Sequence, residues 1–272
     1  MKEITDSEYH LIRDYIKKNF GINLGSEKRA LIYTRLRTTL QDNGFDDFSQ
    51  YFAYLQKDAS GEVVSQFIDK ITTNHTFFMR EIDHFDYLRE KVLPYIESKH
   101  CKERDVRLWC AGCSTGEEPY ALEMILQDYF GRKEESWNTQ ILATDISTGV
   151  LKKAAAGMYP NESLKALPSK WRSEYFKKVD DSFSVVEDKV KKQIVYRKFN
   201  LMEDKFPFKK NMQIIFCRNV MIYFDNQTRD KLVEKFYDLT ESGGYLFIGH
   251  SESLNHTCAE YKYLMPAVYR KE

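Results

Sequence analysis

Residues able to bind and orient a small molecule follow the ends of successive apolar runs in the second half of this chain. After Val106 to Ala111 comes a loop of small residues, Gly112, Cys113, Ser114, Thr115 and Gly116, and then Glu117 and Glu118. After Thr139 to Thr144 comes Asp145, and after Val195 to Phe199 come Asn200 and Leu201. After Met212 to Cys217 come Arg218, Asn219 and, shortly on, Tyr223. In an open α/β sheet the ligand sits outside the carboxyl ends of the strands. This set suits a nucleoside. Small residues admit close backbone approach, and the free N–H groups that open a helix attract an anion. A carboxylate can accept both ribose hydroxyl hydrogens, and an asparagine or backbone can read an adenine edge. Asp145 lies about thirty residues past the loop, against ~20 for the acid of an NAD site, and Gly112 with Gly116 does not complete the pyrophosphate fingerprint. Both facts favour a nucleoside without a diphosphate, such as S-adenosylmethionine. Each residue alone has a plainer reading: an ordinary βα turn, a helix cap at Asp145, a turn at Asn200, a surface ion pair at Arg218, core packing at Tyr223. Their coincidence at one sheet edge is what favours a site.

Other chemistries lack their residues. The cysteines are Cys101, Cys110, Cys113, Cys217 and Cys258, an odd count without a secretion signal, which argues for reduced thiols. A zinc site needs a second close pair beside Cys110 and Cys113, and none is present. A redox dithiol fits the strand-then-helix context of Cys110–Ala–Gly–Cys113, but the motif follows more than 100 residues of other chain, much of it helical, so small buried loop residues is the favoured reading. Gly249–His–Ser–Glu–Ser253 departs from a nucleophile elbow, because Ser253 stands where the closing glycine belongs. No HExxH or P-loop occurs. His75, His84, His100, His250 and His256 are scattered and read as structural or solvated, so no metal is expected.

The elements that must position these residues follow from periodicity. Residues 1 to about 70 read as helical. Leu11, Ile12, Tyr15, Ile16 and Phe20 recur at helical spacing up to Gly21. Ser26 is expected to cap a second helix to Thr39 or Leu40, whose Lys28, Arg29, Arg35 and Arg37 give it a basic side. Phe48–Leu55 and Val63–Ile71 read as two further helices, and Ile71 to Arg80 as a polar elbow. Phe85–Ile96 resumes a helix with Pro94 near its end. From Val106 strands alternate with helices at Pro119–Tyr129, Thr148–Ala156 and Gln227–Thr240, the last capped by Asp225 or Asn226 and ended by Gly243–Gly244. Tyr245–Gly249 is the fifth strand and Tyr261–Arg270 a closing hairpin. Residues 161–195 break the rhythm with a short helix at Leu164–Phe176 and a small antiparallel strand set that includes Phe183–Val186 and Val190–Val195. The expected domains are 1–73, helical; 74–104, a linker segment and helix; and 105–272, α/β with the insert at about 171–195. The fold class is α/β, Rossmann-like, with an N-terminal all-helical domain.

Bulk composition excludes little but is informative. Lysine plus arginine equals aspartate plus glutamate, 41 against 41, so bulk charge makes no case for nucleic acid or an anionic membrane. No apolar run approaches a membrane span and MKEITDSEYH has no signal-peptide core, so a cytoplasmic protein is expected.

TTNHTFFMRE, WCAGCSTGEEPYAL, ATDIS, FNLM, FCRNVMIYFD and GGYLFIGHSESL, in this order, make the chain resemble the chemotaxis receptor methyltransferases, the CheR family, over nearly its whole length. The resemblance implies an S-adenosylmethionine domain with a small inserted β-subdomain, S-adenosylhomocysteine as product, and methyl esterification of glutamates on the cytoplasmic helical region of chemotaxis receptors. By position it makes Asn74, Thr76 and Arg80 cofactor-side residues of the interdomain segment, and Glu118 the acidic ligand of the first helix, with Glu117 its open rival. It makes Asp145 the ribose carboxylate, Asn200 with Leu201 the adenine clamp, Arg218 with Asn219 the last cofactor contact, and Tyr223 the residue beside the transferred methyl. Arg80 and Tyr223 then position the incoming carboxylate. Lys28, Arg29, Arg35 and Arg37 become candidates for docking an acidic receptor helix, and the insert a candidate for adding a receptor C-terminal peptide as a strand. A methyltransferase for another protein and a non-catalytic binder of the same cofactor are the alternative readings, with a dithiol redox protein as a third rival.

Overall fold

The computed structural model describes residues 3–131, 133, 136–255 and 259–272. His256 and Cys258, read above as a solvated or structural histidine and a reduced thiol, lie outside the described residues. Helix α1, Asp6–Phe20, starts on a capping box: Thr5 accepts the Glu8 N–H while the Glu8 carboxylate accepts the Thr5 N–H at 2.8 Å. It ends at Gly21 in the left-handed conformation, φ 71°. Helix α2, Arg29–Asp42, follows a 3-10 turn, Ser26–Lys28. The expected Ser26 cap is corrected: Gly25 holds the cap position and Ser26 already belongs to the turn, with no side-chain cap. Helices α3, Phe48–Gln56, and α4, Glu62–Ile71, complete a domain whose core holds Ile12, Ile16, Ile32, Leu36, Leu40 and Phe67.

After an extended segment the chain continues as α5, Ile82–Tyr87, a π turn, Leu88–Val92, and α6, Leu93–Lys99. The stretch is longer than the expected Phe85–Ile96 because the left-handed Glu81, φ 56°, turns the chain into a helix earlier. Pro94 falls in the first turn of α6, behind the π turn, where its missing N–H and its ring are tolerated.

The α/β part runs β1, Leu108–Ala111; α7, Glu117–Phe130; β2, Ile141–Asp145; α8, Thr148–Ala156; β3, Met158–Pro160; α9, Ser169–Tyr175; β4, Phe176–Lys178; β5, Phe183–Val186; α10, Asp188–Lys191; β6, Ile194–Lys198; β7, Met212–Cys217; α11, Asn226–Leu239; β8, Thr240–Ile248; β9, Tyr261–Met265; and β10, Val268–Lys271. The main sheet has the order β6-β2-β1-β7-β8-β10-β9; β6 through β8 are parallel and the closing hairpin is antiparallel. Period-2 alternation divides its faces. Leu108, Cys110, Ile214 and Phe216 join one core, and Trp109, Ala111, Ile215 and Cys217 the other. The chain leaves β1 for β2 on one side and returns through β7 on the other, so the crevice opens at the ends of β1 and β7. No helix among the described residues is long and apolar enough to cross a membrane.

Two boundaries differ from expectation. The small antiparallel sheet has the order β3-β5-β4 and spans 158–186, not 171–195. Gly157, φ 62°, swings the chain from α8 straight into β3, and three residues ending in Pro160 carry no alternation to read. Val190 lies on the helical turn α10, buried in the core, while Ile194 opens β6 beside β2. Gly243 and Gly244 do not end α11, which stops at Leu239; both lie inside β8. There the register with β7 shifts, and a Cβ at Gly244 would stand 2.9 Å from the Gln213 carbonyl.

Candidate functional site

A cavity of about 360 Å³ opens where the helical domain, the segment Thr72–Arg80 and the carboxyl ends of β1, β2 and β7 meet. Asn74, Thr76, Arg80, Glu118, Asp145, Asn200, Leu201, Arg218, Asn219 and Tyr223 all line it, so the residues expected at the sheet edge and the elbow do come together. Its size falls in the range of small-molecule sites, ~300–1,000 Å³.

The small-residue loop forms the floor. Gly112 and Cys113 donate to the Thr144 carbonyl at 2.8 and 2.9 Å, tying the loop to β2. Gly112 is left-handed, φ 90°, and a Cβ there would collide with Val220. Asp145 is 9% exposed and accepts the Ser114 N–H on Oδ2 at 2.9 Å and the Ser147 N–H on Oδ1 at 3.0 Å. Burial pushes its carboxyl up, and these N–H groups hold it down.

Of the two acids that open α7, the one at the cavity is Glu118. It lines the cavity, while Glu117 is buried and accepts the Thr115 hydroxyl at 2.7 Å. Glu118 pairs with Arg218 Nη1 at 2.8 Å and accepts the Cys110 thiol at 3.0 Å. Arg218 is buried, and the rest of its fork goes to Glu81 at 3.1 Å and to the Arg80 carbonyl. Asn219 is left-handed, φ 58°, and donates to Glu81 Oε1 at 3.2 Å. Arg218 therefore spends most of its donors clamping residues 80–81 to α7. Glu81 is the residue the sequence reading missed; its signal was its place beside Arg80 in FMRE.

Glu81, His84 and His250 bring possible ligand atoms within 4.8 Å of one another. The Arg218 guanidinium already serves the Glu81 carboxylate, and burial, with Arg218 adding to it, pushes His84 down to about 4. A second cation there would face Arg218 directly, so the chemistry of this cluster is that of an ion pair.

At the far wall Asn200 donates to the Asn19 carbonyl at 2.7 Å and accepts the Met202 N–H at 3.0 Å. Its amide thus fastens the end of α1 to the sheet, and Leu201 and the backbone remain to meet a base. On the outer side Arg80 Nη1 donates to the His75 carbonyl at 3.0 Å, and its guanidinium stands 5.9 Å from the Phe77 ring. Asn74 donates to Thr72 and its carbonyl accepts the Ser114 hydroxyl at 3.2 Å. Tyr223 donates its hydroxyl to the Thr73 carbonyl at 3.3 Å, and its own carbonyl accepts the Asn23 N–H at 2.7 Å.

The four basic residues near α2 do not form one side. Nine residues separate Lys28 from Arg37, about two and a half turns, so they face opposite ways. Lys28 is exposed and lines the cavity, and Arg37 is exposed. Arg35 donates to the carbonyls of Ile71 at 2.6 Å and Thr72 at 3.1 Å, and Arg29 is spent on Asp6 and the Ile4 carbonyl. Cys110 and Cys113 are free and buried, and burial pushes both thiols well up, which removes the thiolate a redox dithiol needs.

The donor set fits a cationic nucleoside without phosphate: Glu118 and Asp145 in the walls, a floor of small residues, and Phe199 and Leu201 beside it. Comparison with known proteins agrees. Residues 7–72 match the CheR methyltransferase all-alpha domain, and residues 74–269 match the CheR methyltransferase SAM binding domain. A chemotaxis protein methyltransferase of Borreliella burgdorferi is 42% identical over 98% of this chain and 95% of its own. Those of Escherichia coli and Salmonella typhimurium are 34% identical over 93% and 86%, and 33% identical over 98% and 90%, respectively. With the two domains matched end to end, this chain belongs to the CheR methyltransferase family, as an S-adenosylmethionine-dependent methyltransferase.

Proposed function

We propose that this protein methyl-esterifies glutamate side chains in the cytoplasmic helical region of chemotaxis receptors. The observation that carries the reading is a cavity with the buried Asp145 and the half-buried Glu118 in its walls and Arg80 and Tyr223 at its open rim. When bound, S-adenosylmethionine supplies an already activated methyl group. Glu118, Asp145, Leu201 and the backbone at Asn200 hold the cofactor, with Asn74 and Thr76 covering it. Arg218 and Asn219 act from behind, through Glu81. A glutamate is ionised at neutral pH, so the chain need supply no strong base. Its work is orientation: Arg80 draws the carboxylate in and the Tyr223 hydroxyl lines it up. Opposite charges disappear in the transfer, so exclusion of water by Phe77 and Ile222 at the rim favours it.

Lys28, at the cavity mouth, and Arg37 on the opposite side are the basic residues left for an acidic receptor helix, with a salt-dependent contribution. If a receptor C-terminal peptide adds as a strand, it does so at an edge of the small sheet. Pro160 removes a donor from β3, which leaves β4 as the edge we propose. The test is incubation with methyl-labelled S-adenosylmethionine and receptor-containing membranes. A base-labile methyl ester on the receptor supports the reading; cofactor binding without transfer points to the non-catalytic alternative.

A further inference from the structure

Gly249–His250–Ser251–Glu252 does not line the cavity, yet it turns back against the loop that follows β7. We infer that Glu252 is a positioning residue for methyl transfer, its carboxylate fixing the Asn219–Tyr223 loop that brings Tyr223 to the cavity. The inference rests on the reading of Tyr223 given above. Glu252 is 8% exposed. Its Oε2 accepts the Asn219 N–H at 3.0 Å and the Gly249 N–H, and its Oε1 accepts the Ile222 N–H at 3.1 Å. The Glu252 N–H closes the turn on the Gly249 carbonyl at 2.9 Å. Among the described residues no ion pair reaches this carboxylate. A buried charge without a counter-charge is expensive, and here it is offset by backbone N–H groups, those of the β7 loop prominent among them.

The loop needs such a clamp. Asn219 sits in the left-handed region, which costs a non-glycine residue about 1 kcal/mol or more. A Cβ on Gly249 would collide with the Asn219 side chain and stand 2.9 Å from the Asn219 nitrogen, so the turn is shaped to this loop. Glu252 holds the loop from the sheet side. The helical domain holds it from the other, through the Asn23 N–H on the Tyr223 carbonyl and the bridge between Ile22 and Phe224. Arg218 has its own anchors in Glu81 and Glu118, so its place in the cofactor wall does not depend on Glu252.

Glu252→Gln keeps the shape but turns an amide toward an N–H donor. It is expected to lower kcat at least about tenfold while the KM for S-adenosylmethionine stays within about threefold. Gly249→Ala pushes the same loop with Glu252 intact and is expected to give the same split. Glu8→Gln is the control, because Glu8 is another buried carboxylate holding backbone N–H groups, those of Thr5 and Ser49, inside the helical domain. At a matched loss of melting temperature it is expected to keep kcat within about twofold. A Glu252→Gln enzyme at full turnover, or an equal kcat loss in Glu8→Gln, overturns the inference. Tyr223→Phe separates it from the reading beneath it. A slow Tyr223→Phe beside a full-rate Glu252→Gln removes Glu252 alone, whereas a full-rate Tyr223→Phe removes the role given to Tyr223 and leaves the Glu252→Gln result to judge the loop clamp.

Discussion

Asp145 and Tyr223 face the same cavity from opposite conditions. Asp145 is 9% exposed, with each carboxylate oxygen held by a backbone N–H. Tyr223 is 36% exposed, and its neighbours Phe77 and Ile222 are 47% and 48% exposed. The sheet side is tied together internally: Asp145 to the small-residue loop, and Glu118 to the Arg218 fork. The rim side keeps aromatic and apolar surface in water, with a guanidinium among it. A prebuilt acidic wall suits a small cationic nucleoside of fixed shape. An exposed rim suits a side chain that comes with a whole protein behind it.

The sharpest way to break this contrast is Asp145→Ala. It removes the carboxylate read as accepting the ribose hydroxyls, bonds worth ~1.5–3 kcal/mol each to a charged group, and S-adenosylhomocysteine binding should weaken by ~100-fold or more in calorimetry. Binding within a few-fold of wild type would return Asp145 to a helix cap. On the rim side, Lys28→Glu should raise the receptor KM by about three- to tenfold at low salt, with the difference shrinking at high salt. An unchanged KM at low salt would remove Lys28 from docking.

Glu123 tests burial without function. It is buried in α7 outside the cavity, and burial pushes its carboxyl from 4.5 up to about 8. The folded chain holds this proton up to about pH 8 and the unfolded chain only to about 4.5, so folding binds a proton across that window and stability falls as pH rises through it. Glu123→Gln should flatten the fall, seen as a higher melting temperature at pH 8 and little change in turnover. The smallest effect is expected for Cys110→Ser with Cys113→Ser, whose methyl transfer should stay within about twofold of wild type, because burial holds both thiols protonated and only Cys113 reaches the cavity.

The sheet side of the site was readable in the sequence because its residues sit where apolar alternation stops: Asp145 after β2, Asn200 after β6, Arg218 after β7. Glu81 was not, since it follows no strand and acts through Arg218, a contact across 137 positions that no local pattern encodes. Glu117 and Glu118 differ in helix phase at the first turn, which the sequence does not show; in the fold Glu118 is the one at the cavity, paired with Arg218. Lys28 and Arg35 looked alike as charges on one helix. Their roles diverge because Arg35 meets the carbonyls ending α4, whereas Lys28 meets the cavity mouth. The small sheet was placed too late because β3 is three residues long and defined by Gly157 and a partner strand distant in sequence.

The division of labour between the two sides is tested most directly by Arg80→Ala, measured for S-adenosylhomocysteine affinity and receptor methylation in the same preparation. Arg80 touches the His75 carbonyl and the Phe77 ring and reaches Glu81 only at 4.0 Å, and it forms no ion pair with Glu118 or Asp145. The expected result is cofactor-product affinity within about threefold of wild type and a methylation rate lower by ~100-fold, the loss that misplacement of a reacting group brings. Near-normal methylation, or an equal loss in both measurements, would contradict a prebuilt cofactor wall facing a separate substrate rim.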